Sequence, residues 1–384
     1  MTRAIGRDWL SGAIVAVMAL LAVVAFTFAI ARSDDAPSVT WTTMSRPPGG
    51  VGGLTTDGGQ LVAVGYATHS DGTTTPAAWT STTGLGWTAA TVEDDDEGLM
   101  QTAVRFQGDL LAIGSHYCDA RDCPPPTSRG LPAVWRSRGE GAVWVPVASA
   151  GFDGYARDLA TDGERLVLAG AADADATTTG AIWWSTDGET WQRASAMPQV
   201  DGFIEVTRFT GGFAVVGYRD AGGPDYQPVV LISTDGDTWI ESDLANELPA
   251  GDIVSIAATD EALVGIGSVS DATGLRAAAF ASSDGLRWTR LPFNFGDAVL
   301  ELVASGEMGT IIVGRLGEEI GIGTPVAWFT ADGELWSTMA QIGPAEENLA
   351  IVYATVGRTR AIVMGLSLPL QDARQLAWMA ELSR

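Results

Sequence analysis

Ser185-Thr-Asp187-Gly188-Glu-Thr-Trp191, Ser233-Thr-Asp235-Gly236-Asp-Thr-Trp239 and Ser282-Ser-Asp284-Gly285-Leu-Arg-Trp288 are three copies of one seven-residue string. Thr330-Ala-Asp332-Gly333-Glu-Leu-Trp336 is a fourth with Thr for Ser, and Ser81-Thr-Thr-Gly84-Leu-Gly-Trp87 is a fifth that lacks the Asp. A sixth, Ser137 to Trp144, is degenerate and one residue longer. The closing tryptophans stand at 87, 144, 191, 239, 288 and 336, so the intervals are 57, 47, 48, 49 and 48 residues. A near-constant period marks a repeat architecture. The one long interval contains Cys118 and Cys123.

Working outward from each string, the pattern is that of strands. An apolar run such as Leu61-Val-Ala-Val-Gly65, Leu110-Leu-Ala-Ile-Gly114 or Phe213-Ala-Val-Val-Gly217 follows a turn rich in Asp and Gly. A polar loop, a second apolar run ending at the Asp-Gly turn, and a short run after the tryptophan complete the period. Four short strands joined by turn chemistry, repeated every 48 residues or so, describe an all-β propeller. No soluble segment carries a long 3.6-residue apolar period, which excludes helical solenoids.

Closure can be counted. Trp41 lies one period before Trp87, and Trp41-Thr-Thr-Met44 mirrors Trp336-Ser-Thr-Met339. The last repeat reaches its third strand at Leu376-Ala-Trp378-Met-Ala380 and has no full fourth. The Val39–Thr43 strand can supply it, giving seven blades in a ring whose termini share one sheet and leave no open edge. Of the fourteen tryptophans, seven (41, 87, 144, 191, 239, 288, 336) occupy the post-turn column. Five more (79, 135, 183, 328, 378) stand two residues before the Ser/Thr column or its equivalent, where Leu231 and Phe280 fill the remaining two blades. These are expected to be packing residues rather than ligand platforms.

The Ser-x-Asp-Gly-x-x-Trp strings resemble the Asp-box, or BNR, repeat of sialidases, of photosystem II assembly-factor-like propellers and of sortilin-type ectodomains. The usual form has one more residue between Asp and Trp. The resemblance implies a structural hairpin joining the two outer strands of each blade, with Asp187, Asp235, Asp284 and Asp332 as turn stabilisers. Local bonding of Asp to turn amides supplies a physical reason for that role. The same resemblance would require, for sialidase chemistry, an Arg-Ile-Pro motif, three arginines, a Tyr–Glu pair and an Asp acid. No Arg-Ile-Pro occurs; Arg290-Leu-Pro292 is the nearest string. Fold does not carry function across.

The amino terminus reads as a membrane segment. Trp9 to Ala31 is free of charge, about the length that spans a bilayer. Arg3 and Arg7 precede it, which keeps residues 1–9 in the cytoplasm and exports the rest. The expected organisation is a short tail over 1–9, a signal-anchor helix over 10–31, a linker over 32–38 and the propeller over 39–384. The alternative is a secreted form cleaved after Ala29-Ile30-Ala31. Cys118 and Cys123, followed by three prolines, fit a disulfide-closed loop in an oxidising compartment. A redox or zinc role would need two further ligands for the metal.

The chain carries 22 basic and 47 acidic residues, a net charge of −25, and every basic residue is an arginine. That charge argues against nucleic acid or an anionic membrane surface as the principal partner. The expected ligand face comprises the loops between second and third strands, each with an acid: Asp71, Asp119, Asp173, Asp225, Asp271, Glu318 and Asp372. Links between blades add acids at 94–97, 153, 201, 252, 297 and 346–347. Such a rim could hold Ca²⁺, a basic protein or a glycan, or could simply keep an exported protein soluble. His69 and His116, the two histidines, fall in the same loops and could join a metal site. No cofactor, catalytic residue or metal ligand is assigned. The expected function is a non-catalytic binding or scaffold module for a protein or glycan, the alternative a carbohydrate-active enzyme using acids of the loop face.

Overall fold

A computed structural model of the chain describes residues 39–382 apart from 58, 118–129, 150, 175–176, 221–225, 245–250, 272–273, 318–322, 334, 338, 344–348 and 368–373. The described residues form seven sheets, antiparallel but for one strand pair and one per repeat, arranged as a seven-bladed propeller. The innermost strands are Gly50–Asp57, Gly98–Phe106, Tyr155–Thr161, Gly202–Phe209, Gly251–Ala258, Ala298–Gly306 and Leu349–Val356, for blades 1 to 7. The ring closes as its termini demand: Trp41 pairs with Ala380, Thr42 with Met379 and Thr43 with Trp378. The expected tail, anchor and linker over 1–38 lie outside the described residues, as do Cys118 and Cys123. Among the described residues no helix is long and apolar enough to cross a membrane.

The Ser-x-Asp-Gly strings are the turns between third and fourth strands. In blade 3 the Gly188 amide donates to Ser185 Oγ (2.8 Å), and the Glu189 and Thr190 amides donate to Asp187 Oδ1 (2.8 and 2.7 Å). Asp235, Asp284 and Asp332 accept turn amides in the same way. The glycine takes φ of +72 to +76° in Gly84, Gly188, Gly236, Gly285 and Gly333, a region open to glycine at no steric cost. The tryptophan that follows drops into the seam between blades. Trp144, Trp191, Trp239, Trp288 and Trp336 are buried, while Trp41 and Trp87 are half-buried.

The core is therefore seven seams rather than one centre. Each joins two neighbouring blades, as where Phe106, Leu111 and Val134 of blade 2 pack on Phe152, Trp183 and Trp191 of blade 3. Phe152 meets Trp183 edge-on at 5.1 Å between ring centres.

A second column explains the inner wall. Every first strand has a bulge, at Gly52, Gln101, Arg157, Ile204, Val254, Glu301 and Val352. Opposite each bulge stands a second-strand glycine: 65, 114, 170, 217, 267, 314 or 365. A Cβ on Gly65, Gly114 or Gly170 would lie 1.9–2.0 Å from a first-strand carbonyl oxygen. The bulged strand presses its carbonyl into space that only glycine leaves open.

Two features depart from the sequence reading. The second and third strands run further than expected, so Asp173 and Asp271 lie in strands, opposite Thr178 and Gly274, instead of in loops. In blade 3 the ladder continues because Thr177, Thr178 and Thr179 favour extended backbone. Blade 2 has a fifth strand: Thr91–Val92 pairs in parallel with Val143–Trp144 of the outer strand. That outer strand spans five residues where most blades use two, so its longer edge is covered.

Substituting Gly170 by Ala should lower the urea-unfolding free energy by about 2–4 kcal/mol through this overlap. Gly86→Ala, with open space around its Cβ site, should change it by less than about 0.5 kcal/mol. Equal effects would mean that the bulge does not need the glycine.

Candidate functional site

The bulge sets what the inner wall does. The residue following each bulge forms the column Gly53, Thr102, Asp158, Glu205, Ser255, Leu302 and Tyr353, and several of these reach the next blade. The Val206 amide of blade 4 donates to Asp158 Oδ2 of blade 3 (2.9 Å). The Ile256 amide and Ser255 hydroxyl of blade 5 donate to Glu205 Oε2 of blade 4 (3.0 and 2.8 Å). The Val303 amide of blade 6 donates to Ser255 Oγ (3.1 Å), and Tyr353 of blade 7 donates its hydroxyl to the Leu54 carbonyl of blade 1. Polar ties of this column thus cross four of the seven junctions around the axis, between blades 3 and 4, 4 and 5, 5 and 6, and 7 and 1.

These groups surround an axial lumen of about 500 Å³, also lined by Gln101, Arg157 and Glu301. Asp158, Glu205 and Tyr353 are half-buried: open to lumen water on one side, enclosed by protein on the others. Enclosure, reinforced by the Asp158 charge, pushes Glu205 up to about 8. Enclosure also raises Asp158, to about 6, against the Val206 and Leu159 amides, which favour its anion. Of the two, Glu205 holds its proton to the higher pH, so near neutrality the pair keeps one charge. Burial raises the Tyr353 phenol above its ordinary value. Glu301 lines the same lumen and pairs with Arg315 of the second strand, while its Oε2 and Arg315 Nε have no partner.

The loop-face acids are placed one by one. Asp71 is exposed and accepts the Thr73 amide and hydroxyl (3.0 and 2.7 Å), a local turn whose hydroxyl bond holds the carboxyl below its usual range. The side chains of Asp173 and Asp271, and all of Asp119, Asp225, Glu318 and Asp372, lie outside the described residues. Among the link acids, Asp153 accepts Trp183 Nε1 (3.0 Å), Asp201 accepts the Asp220 amide (2.7 Å), and Asp252 accepts the Ser268 hydroxyl (2.8 Å).

The two histidines are not brought together. His69 Nε2 lies 3.0 Å from Thr75 Oγ1. His116 Nε2 lies 2.8 Å from Asp94 Oδ2, which also accepts Trp135 Nε1 at 2.6 Å, and the His116 ring sits edge-on to Trp135. Asp94, Asp96 and His116 place one possible ligand atom each within 4.8 Å of one another. Both Asp94 oxygens are already engaged, Oδ1 by the Asp96 amide.

Sequence reasoning passed over Asp158, Glu205 and Tyr353, which share a column with Gly53 and Leu302 and so show no common residue type. The available signal was an acid inside an otherwise apolar inner strand, as in Phe203-Ile-Glu205-Val206. Compared with known proteins, the chain matches no family model and no curated protein. The site therefore rests on its own geometry.

The shifts fix the sign of a pH effect. Glu205 binds its proton more tightly folded than unfolded, so the stability it contributes is complete below about pH 4.5 and is lost as pH rises through about 8. Turn carboxylates act oppositely: amides of Thr238 and Arg287 hold Asp235 and Asp284 below 3.8, and their contribution is lost as pH falls through that lowered range. Glu205→Gln keeps an acceptor for Ile256 and removes the ionisation. Discounted for lumen water, it should gain on the order of 2 kcal/mol over the parent at pH 8 and nothing at pH 4. Urea midpoints across that range test this, and parallel profiles for the two proteins would refute it.

Proposed function

We propose that this chain is a non-catalytic binding or scaffold module, held outside the cytoplasm by an amino-terminal anchor and engaging a protein or glycan through the face of its hairpins and inter-blade links. A propeller fold suits that role. The observation that carries the reading is the use of the lumen carboxyls: Asp158 and Glu205 are engaged by amides of the following blade and tie the ring together. The hairpin face also exposes large apolar side chains on consecutive blades, with Tyr226 at 65% on blade 4 and Leu275 at 71% on blade 5. Tyr226 is braced edge-on by Tyr218 at 4.9 Å. Exposed aromatics beside a polar rim are the usual composition of a recognition surface. The anchor rests on the uncharged stretch from Trp9 to Ala31, and the Asp-box kinship on the turn strings alone.

The alternative is a carbohydrate-active enzyme. In its favour, a protonated Glu205 beside an ionised Asp158 is the division of states that acid–base catalysis uses. Against it, a nucleophilic phenol would need a lowered pKa, whereas Tyr353 is raised and donates to Leu54. Glu301 pairs with Arg315, and among the described residues Arg157 is the one arginine that lines the lumen, short of the three that a sialidase directs at a substrate carboxylate.

Two measurements test the proposal. Protease added to intact cells should degrade the propeller while leaving cytoplasmic markers whole; protection of the propeller would remove the exported topology. Full-length protein in detergent should retain glycan or partner binding as Glu205→Gln and lose about tenfold or more as Tyr226→Ala with Leu275→Ala. Turnover of an arrayed glycan that Glu205→Gln abolishes would establish the enzyme instead.

A further inference from the structure

At the opposite end of the axis from the hairpin face, the turns between first and second strands enclose a pocket of about 520 Å³. Its wall carries Arg105, Arg358, Arg360 and Glu307, and Leu61 and Ile362 contribute apolar surface. Three arginines and one glutamate give this lining +2, and Glu381, paired with Arg360, leaves the cluster at +1, in a chain whose net charge is −25. The residues come from blades 1, 2, 6 and 7, so the concentration of positive charge is assembled by the ring and not by one stretch of chain.

Arg360 is bonded at several points, whereas Arg358 and its partner Glu307 are both largely exposed. Arg360 Nε meets Glu381 Oε1 at 3.1 Å, and its Nη1 lies 3.5 Å from each of the Thr82 and Thr83 carbonyls. Arg358 binds Glu307 through Nε alone at 3.0 Å, which leaves its terminal nitrogens to donate elsewhere. Arg105 Nη1 donates to the Gly108 carbonyl at 2.9 Å. Arg358 and Arg360, each paired with a glutamate through Nε, retain terminal nitrogens that can donate to a carboxylate or phosphate. A concave pocket lined by one sign of charge also focuses its field.

The repeat itself supplies a separate observation. Position 83 is the Asp column of the turn strings, filled by Asp187, Asp235, Asp284 and Asp332 in four other blades. In blade 1, the copy that touches this pocket, it is Thr83, whose hydroxyl accepts the Leu85 amide (3.2 Å) in the place of a carboxylate. The acid is missing where its charge would sit beside Arg360.

We propose that this pocket binds an anion carrying two or more negative charges through Arg358 and Arg360, with Arg105 completing the positive wall. The ligand class is a phosphate or carboxylate compound, either free or as a group on a larger polymer. The site lies away from the hairpin face and stands or falls independently of the binding function argued for that face.

The experiment is isothermal titration of the full-length protein in detergent at low ionic strength with inorganic pyrophosphate, citrate and polyphosphate. Saturable binding is expected, weakening as salt is raised. Arg358→Ala, at an exposed turn, should weaken it by about tenfold, and Arg358→Ala with Arg360→Ala should abolish it. Thr83→Asp installs the residue that the same turn carries in other blades, so it should fold normally and still weaken binding. Arg193→Ala, on the outer strand of blade 3, should have no effect. Binding of polyphosphate alone would assign the ligand to a polymer; binding of the small anions as well would assign it to a free anion. No saturable heat with any of the three probes, or binding unchanged in both Arg358→Ala and Thr83→Asp, would overturn the proposal.

Discussion

The structure depends on a collision that glycine avoids. In each blade the innermost strand bulges by one residue, and in blades 1 to 6 a first-strand carbonyl occupies the space where a second-strand side chain would begin, 1.9–2.5 Å from a Cβ; in blade 7 the approach at Gly365 is looser, at 3.1 Å. Gly65, Gly114 and Gly170 show the tightest approaches, near 2 Å to a hypothetical Cβ. The bulge rotates the following residue out of its own sheet and toward the neighbouring blade. That is how Asp158 reaches the Val206 amide and Glu205 reaches Ile256. The extra residue shifts the alternation by one, so the side chain that follows takes the face opposite to the one a regular strand would give it.

Seven seams and one axial girdle divide the work of holding the ring. At the seams the tryptophans and their aromatic neighbours remove apolar surface from water, the larger stabilising term. At the axis the polar ties are fewer and carry a cost, since carboxyls half-enclosed by protein are held away from their preferred charge state. With two of them on consecutive blades, the charge on Asp158 helps to keep Glu205 protonated. Polar groups so placed fix which blade follows which more than they add net stability.

The two ends of the axis are unlike. One end gathers hairpins and links with exposed Tyr226 and Leu275, with Asp71 satisfied by its own turn and Asp153, Asp201 and Asp252 by neighbouring strands. The other gathers three arginines, helped by an acid missing from one repeat. A repeat architecture makes such polarity easy to build, because every first-to-second-strand turn falls on one face and every second-to-third-strand hairpin on the other.

The sequence by itself determined the repeat, its period, the number of blades and the pairing of Trp41 to Thr43 with the last strand, because a fixed spacing of Trp and Asp-Gly survives in one dimension. It also determined the turn geometry, since Ser, Asp and Gly bond locally within four residues. Only the tertiary structure decided the rest. Asp158 and Glu205 are 47 residues apart and line one lumen because the ring sets consecutive blades side by side. Arg105 and Arg358 share a pocket although 253 residues separate them, for closure brings blade 7 against blade 1. Column positions that hold Gly53 in one blade and Tyr353 in another carry no common chemistry along the chain. Their shared role is set by the bulge, and the bulge is visible only once two strands are paired.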